Sequence, residues 1–286
     1  MSTLVAVDAP ASPAERSGLN ERIDIMGVSI DNVTETQAID HILSALAQRR
    51  GGWVVTPNIE ILRQAAHDES IRSLIAGADL VLADGMPLIW ASRLQRLPLP
   101  ERVPGATLVW SLSEAAGRAG ASVFLLGGNS GAAERAAGAL RVAVPELTIS
   151  GHHCPPMGFE KSPSQMQAIV SCLENSQPDI VFCGFGFPKQ ERLIAKLRAR
   201  FPRTWFLGIG ISLSFVGGEI MRSPQWMQDH GLEWLHRLSR EPRRLFTRYI
   251  VNDIPFAISL LTRAAVLGMS VRLLPDLAPS GNQIER

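Results

Sequence analysis

From Arg22 onward the chain alternates short runs of β-branched and aromatic residues with longer stretches whose apolar positions recur every three or four residues. That alternation predicts a parallel sheet flanked by helices. The strand candidates are RIDIMGVSI, WVVTP, DLVLAD, SVFLLGG, LTISG, DIVFCGF and TWFLGIG. The first helix opens at Thr34, which stands at capping-box spacing from Gln37 and places Ile39, Ile42, Leu43 and Leu46 on one face. Further helices are predicted over about 59–75, 86–96, 107–119, 130–141, 163–175 and 189–200. A proline-rich stretch, LQRLPLPERVPGAT, separates the strands into two groups, which predicts two lobes with a cleft between them. Open α/β sheets bind ligands beyond the carboxyl ends of their strands, so chemistry is sought there.

After Ser212 the strand pattern stops. Residues 222–274 read as a helical appendage interrupted by Pro242 and Pro255, following an α/β unit over 22–221 and preceding a tail over 275–286. Residues 222–272 hold eight arginines and four acids, a local charge of +4 in a chain of net +1, so the remainder carries −3. Residues 254–271 are nearly all apolar, but Arg263 in their midst points to an interfacial or core helix rather than a spanning one.

At 286 residues, 46% apolar and 19% charged, the chain is long enough for a sizeable core. Its near-neutral balance excludes the global basic field of a general nucleic-acid binder. Residues 1–21 lack a basic segment and their apolar run is broken by Asp8 and Pro10, so they read as a mobile tail rather than a signal peptide. Cys154, Cys172 and Cys183 are odd in number and show no C-x-x-C spacing, which fits a reducing cytosol without a disulfide framework.

Three strand ends carry glycine loops. VFLLGGNSGAAERAAGAL places Gly127, Gly128 and Gly131 before a helix, where backbone N–H groups and the helix N-terminus suit a phosphate. It lacks the full G-x-G-x-x-G pattern, and no acid ends the next strand to hold a ribose, so a tight turn without a ligand stands beside that reading. DIVFCGFGFPKQERLIAKL repeats the build with Gly184 and Gly186, then presents Lys189, Gln190 and Glu191 in a first helical turn at the cleft, or as plain surface residues. The third loop, GIGISLSFVGGEI, suits a ligand wall.

Thr56 and Asn58 end one strand and Asp84 another, so their polar groups are expected to converge. Locally, Asp84 is equally a catalyst or the N-cap of the helix opening at Met86-Pro87. His152, His153 and Cys154 lack a ligand spacing, so no metal site is expected. No Asp-x-Asp and no G-x-S-x-G occurs, which disfavours cation-chelating sugar transfer and serine hydrolysis.

Taken together, VVTPN, DLVLADGMPLIWASR, ERVPGAT, VFLLGG, PDIVFCGFGFPKQE and WMQDHGLEWLHRLSREPRRLFTRY resemble the WecG/TagA/CpsF glycosyltransferase family, N-acetylmannosaminyltransferase-like, from about Val28 to Arg248. The resemblance implies a Rossmann-like enzyme that moves a sugar from a UDP-sugar to a polyprenyl-diphosphate-linked saccharide, with inversion, without a metal or other cofactor, and at the cytoplasmic face of the membrane. It implies N-acetylmannosamine, its uronic acid or glucose as the donor sugar, and a role in cell-surface polysaccharide synthesis. Asp84 matches the family's general base and Arg102 a charge-stabilising residue near the leaving group. Thr56 and Asn58 match a pocket-lining pair, and Gln190 a residue binding the sugar or diphosphate. The glycine loops at Gly127, Gly128, Gly184 and Gly186 then help to offset the charge of departing UDP.

Ser214 stands where relatives often carry an acid, which bears on donor recognition. The appendage resembles a membrane-targeting segment, with Arg237, Arg240, Arg243, Arg244 and Arg248 facing anionic lipid; Trp226 and Trp234 are expected in the core. Two further readings stand beside the transferase: a nucleotide-dependent oxidoreductase built on the Gly127 loop, and a non-catalytic scaffold of a polysaccharide assembly complex. A homo-oligomer is compatible with all of them.

Overall fold

A computed structural model describes residues 21–273. The tails expected at 1–21 and 275–286 fall, but for Glu21, outside the described residues. The chain opens with an antiparallel hairpin, β1 (Arg22–Ile25) and β2 (Val28–Asp31), where one strand was expected. Met26 and Gly27 both have positive φ, 56° and 83°, the arrangement of a tight hairpin turn. Methionine is not a turn signal, and the lone Gly27 inside a continuous strand-like run is the one mark of the break in the sequence. Helix α1 (Glu35–Ala47) starts at Thr34 with both capping-box bonds formed.

β3 (Gly52–Val55), β4 (Leu80–Val81), β5 (Ser122–Gly127), β6 (Thr148–His153), β7 (Ile180–Gly184) and β8 (Trp205–Gly208) form one parallel sheet in the order β4-β3-β8-β7-β5-β6. The two strand groups therefore join across the β3–β8 seam in a single sheet, and the cleft lies over strand ends rather than between separate sheets. The seam is tight: a Cβ on Gly52 would lie 2.6 Å from the Trp205 ring, so a larger residue would force the two strands apart.

Alternation along the strands feeds two cores. Trp53, Val55, Phe124, Leu126, Val181, Cys183 and Phe206 pack on one face, with α2 (Ile59–His67), α3 (Glu69–Ala76), α4 (Met86–Leu94), α7 (Pro163–Ser176) and α8 (Lys189–Leu197). Val54, Leu80, Leu82, Val123, Leu125, Phe182, Trp205 and Leu207 pack on the other, with α1, α5 (Gly105–Ala119), α6 (Ala132–Ala143) and α9 (Ser212–Val216). The stretch expected as one helix over 59–75 is two, because Asp68 leaves the helical region and caps α3 through Ser70 N–H at 2.8 Å.

The appendage comprises α10 (Gln225–Asp229), α11 (Glu233–Arg240), α12 (Pro242–Phe246) and α13 (Ile254–Leu273). Pro242 starts α12, but Pro255 does not interrupt the chain. A π-helical segment, Thr247–Asp253, carries the helix into α13, and such wide turns accommodate a residue that cannot donate its N–H. The helix over 242–270 is long and apolar enough to cross a membrane. One stripe of it, Phe256, Leu260, Ala264 and Gly268, is nevertheless buried at four-residue spacing. A Cβ on Gly268 would lie 1.9 Å from the Leu94 carbonyl oxygen, so α13 crosses the end of α4 at a distance only glycine allows. Ile258, Val266, Leu267 and Met269 face outward.

Candidate active site at the strand ends

Beyond its formal end β4 keeps bonding to the neighbouring segment: Leu82 N–H donates to Val55 O at 2.9 Å and Asp84 N–H to Pro57 O at 2.8 Å. Asp84 is thereby set beside Thr56-Pro57-Asn58 by backbone geometry alone. Gly85, at φ 148°, turns the chain into α4 as its N-cap, and no side chain caps that helix. The capping role open to Asp84 in the sequence is therefore not the one it plays.

Asn58 is the true cap of this pair of strand ends, its Oδ1 accepting from Glu60 and Ile61 N–H, both at 3.1 Å. Thr56 is 8% exposed and sits between the end of β8 and the start of α5, with Oγ1 3.5 Å from Gly208 O. A Cβ on Gly105 would come within 3.3 Å of that hydroxyl.

Asp84 is half-buried among the strand ends. Burial pushes its carboxyl up to about 6; Arg102 opposes the rise, Glu233 adds to it, and Arg222 and Arg237 oppose it in turn. Arg102 is held at the site because Val103 N–H donates to Ala83 O at 2.8 Å. Its Nη1 lies 3.5 Å from Glu233 Oε2, and Arg222 Nε lies 3.7 Å from Glu233 Oε1. Arg222 Nη2 also donates to Thr107 Oγ1 at 3.1 Å. The appendage, which carries Glu233 and Arg237 on α11, thus reaches over the strand ends.

The sequence pointed to neither Arg222 nor Glu233. Its one signal for Glu233 was the four-residue spacing to Arg237, which suggests a pair along the helix instead.

The glycine loops meet at the β5–β7 boundary, where the chain leaves adjacent strands in opposite directions, the usual place for a ligand crevice. Gly128 N–H donates to Gly184 O at 2.7 Å, and Cβ atoms on Gly127 and Gly184 would lie 2.8 Å from the Phe185 ring and 2.9 Å from Leu213. Glycine at these positions is required by packing alone. Gly186, at φ 77°, has open space where a Cβ would be.

The first turn of α8 does not present all its polar groups to the cleft. Gln190, 4% exposed, accepts at Oε1 from the N–H groups of Phe185, Gly186 and Gly210 at 3.3, 3.1 and 3.0 Å, joining two glycine loops. Its Nε2 donates to Glu191 Oε1 at 2.8 Å. Glu191 is 1% exposed, its Oε2 has no hydrogen-bond partner, and burial pushes its carboxyl up to about 7. Lys189 pairs with Glu160 at 3.3 Å and lies over the Phe159 ring. Ser214 is buried within α9.

The five appendage arginines divide. Arg237 lies within electrostatic reach of Asp84, while Arg248 pairs with Glu60 and lies 3.7 Å from Asp253, which Arg63 also contacts at 3.3 Å. Arg240, Arg243 and Arg244 are exposed, the last paired with Glu241. Neither tryptophan expected in the core is there: Trp234 packs edge-on against Tyr249 but is only half-buried, and Trp226 is 59% exposed. A separate groove of about 470 Å3 between α1 and α5, lined by Glu35, Asp40, Glu114 and Arg118 among others, includes none of the strand-end residues.

Residues 23–268 match the model of a family described as Glycosyl transferase WecG/TagA/CpsF. Among curated proteins, N-acetylglucosaminyldiphosphoundecaprenol N-acetyl-beta-D-mannosaminyltransferases of Staphylococcus aureus strains MW2 and COL are each 31% identical over 233 residues. That alignment covers 81% of this chain and 89% of theirs.

Proposed function

Since the chain belongs to the WecG/TagA/CpsF family and is a glycosyltransferase acting on lipid-linked saccharide in cell-envelope polymer synthesis, we propose that it transfers N-acetylmannosamine from its UDP conjugate to N-acetylglucosaminyl-diphosphopolyprenol, inverting the anomeric centre without a metal. The staphylococcal relatives' names supply the donor sugar and the acceptor. Membership in a transferase family displaces the oxidoreductase and scaffold readings.

The observation that carries the mechanism is the half-buried Asp84 carboxyl just past the end of β4, within the electrostatic field of Arg102, Arg222 and Arg237. As the acceptor hydroxyl oxygen bonds to the anomeric carbon, Asp84 takes its proton, the bond from that carbon to the UDP oxygen breaks, and UDP leaves with the electron pair. A base with pKa near 6 is mostly ionised at pH 7 and still basic enough to accept the proton. The three arginines offset the negative charge that grows on UDP, since the glycine-loop N–H groups of Gly128, Gly186 and Gly210 are already bonded within the protein. Thr56 and Asn58 wall the pocket beside Asp84. Gln190 shapes it by tying the loops at Gly186 and Gly210.

Membrane attachment belongs to the same proposal. Arg240, Arg243 and Arg244 face out from α11 and α12, and α13 exposes Ile258, Val266 and Leu267, which together suit the anionic inner surface where a polyprenyl acceptor resides.

The test offers UDP-N-acetylmannosamine, its uronic acid and UDP-glucose with a polyprenyl-diphosphate N-acetylglucosamine acceptor, with and without a chelator, and weighs the products by mass spectrometry. Gain of one N-acetylhexosamine, indifferent to the chelator, is expected. Failure with all three donors, or dependence on a divalent ion, would sink the reading.

A further inference from the structure

Glu233 stands at the start of α11, in the appendage, yet its carboxylate lies between two guanidiniums from other parts of the chain. Arg102 comes from the loop that follows α4, and Arg222 from the segment that leads out of the α/β unit. All three side chains are largely shielded, 16% exposed for Arg102, 21% for Arg222 and 19% for Glu233. The two contacts, 3.5 and 3.7 Å, are longer than hydrogen bonds, and the buried Nε–H of Arg222 has no hydrogen-bond acceptor.

Glu233 therefore balances the charge of the two arginines without using up their donors. Two guanidiniums in one shielded cleft repel unless an anion sits with them, and here the chain supplies that anion from the appendage.

We infer that Glu233 is a positioning residue: it draws Arg102 and Arg222 into one cleft beside Asp84 and leaves their N–H groups free for the donor's diphosphate, so that the cleft is assembled only when the appendage is docked. The inference rests on the proposal that the cleft takes a UDP-sugar. The groups facing Asp84 are Arg102 from the loop after α4, Arg222 from the segment before α10, and Glu233 and Arg237 from α11. Glu233 is the one negative charge among them. Its removal lets the three arginines favour ionised Asp84 more strongly, and the acid limb of the rate profile moves to lower pH.

The experiment compares full-length wild type with Glu233→Gln and Glu233→Asp by calorimetric titration with UDP, by the pH profile of kcat/KM, and by thermal unfolding. Glu233→Gln is expected to weaken UDP binding about tenfold and lower kcat/KM about 10- to 100-fold, as misplaced binding groups do. Its acid limb should shift below that of wild type, while Glu233→Asp recovers part of the binding. Unchanged or tighter UDP binding by Glu233→Gln would overturn the inference, since Glu233 would then be idle or a competitor of the donor. Weaker binding with an unmoved acid limb and a lower melting temperature would also overturn it, as the mark of helix docking alone. An Asp84→Asn protein that still transfers sugar breaks the assignment of the base but leaves the UDP titration to judge Glu233; wild type that binds no UDP sinks both.

Discussion

The strand ends and the appendage hold their polar groups by different means. At the strand ends, main-chain bonds do the placing: Asp84 is tied to Pro57, Val103 to Ala83, Gly128 to Gly184, and Gln190 to three loop amides. In the appendage, α13 packs its buried stripe against α4, but α11 has no buried residue, and its link to the α/β unit runs through half-shielded ion pairs of Glu233 with Arg102 and Arg222. Partly exposed pairs contribute about 0–1 kcal/mol each and weaken with salt, whereas a strand ladder with two cores behind it does not loosen piecemeal. The proposed base is thus placed by the most rigid part of the molecule, and some of the cations around it by a more removable one.

Asp84→Asn breaks the comparison most sharply. Transfer should fall roughly 10²- to 10⁴-fold, the usual contribution of a positioned general base, while the melting temperature at pH 7 rises. The sign follows from the raised pKa. The folded state holds this proton more tightly than the unfolded chain, so stability present below about pH 4 is lost as pH rises through about 6, and the amide escapes that loss. A lower melting temperature together with lower activity would instead make Asp84 an ordinary part of the frame.

Glu191→Gln probes the rigid side without touching the proposed base. The Glu191 carboxyl is raised from its ordinary 4.5 to about 7, so its share of stability is lost as pH climbs through that window. Urea unfolding at pH 5 and pH 8 should find the difference in stability between the two pH values altered by roughly 2–4 kcal/mol in the variant, which is the more stable protein at pH 8. Parallel pH dependence in the two proteins would place the ionised carboxylate in contact with water.

The smallest effect per residue is on the removable side. Reversing Arg240, Arg243 and Arg244 to Glu should lower partition onto anionic vesicles by about 1 kcal/mol or more per residue, with turnover on a water-soluble acceptor held within about twofold. Binding that survives both the reversals and raised salt would assign attachment to α13 instead.

Much of the α/β unit was legible along the chain, because strand and helix periods are local and every sheet strand but the edge strand β6 is short and apolar. Thr34, with its capping box, was legible for the same reason. Hidden were the features that answer to non-local contacts. Met26-Gly27 turns back because β1 and β2 pair, the helix read across Asp68 splits, and the two strand groups share one sheet because β3 lies against β8. At the site, Asp84, Thr56, Asn58 and Arg102 stood out as polar residues at strand ends or within a family motif. Gln190 and Glu191 were noticed, but their direction was not, since a first helical turn places side chains outward or inward with equal ease until the loops beneath it are known.

By itself the amino-acid order determined the class of fold, the positions of the strand ends and the identity of the carboxylate at one of them, because each of these follows from spacings of a few residues. Only the tertiary structure decided what surrounds that carboxylate. Arg102 is separated from Arg222 and Glu233 by more than a hundred residues, and Glu233 stands four residues from an arginine that would have seemed its natural partner. Charge acts through distance in space and through the shielding of the cleft, and neither quantity is written along the chain.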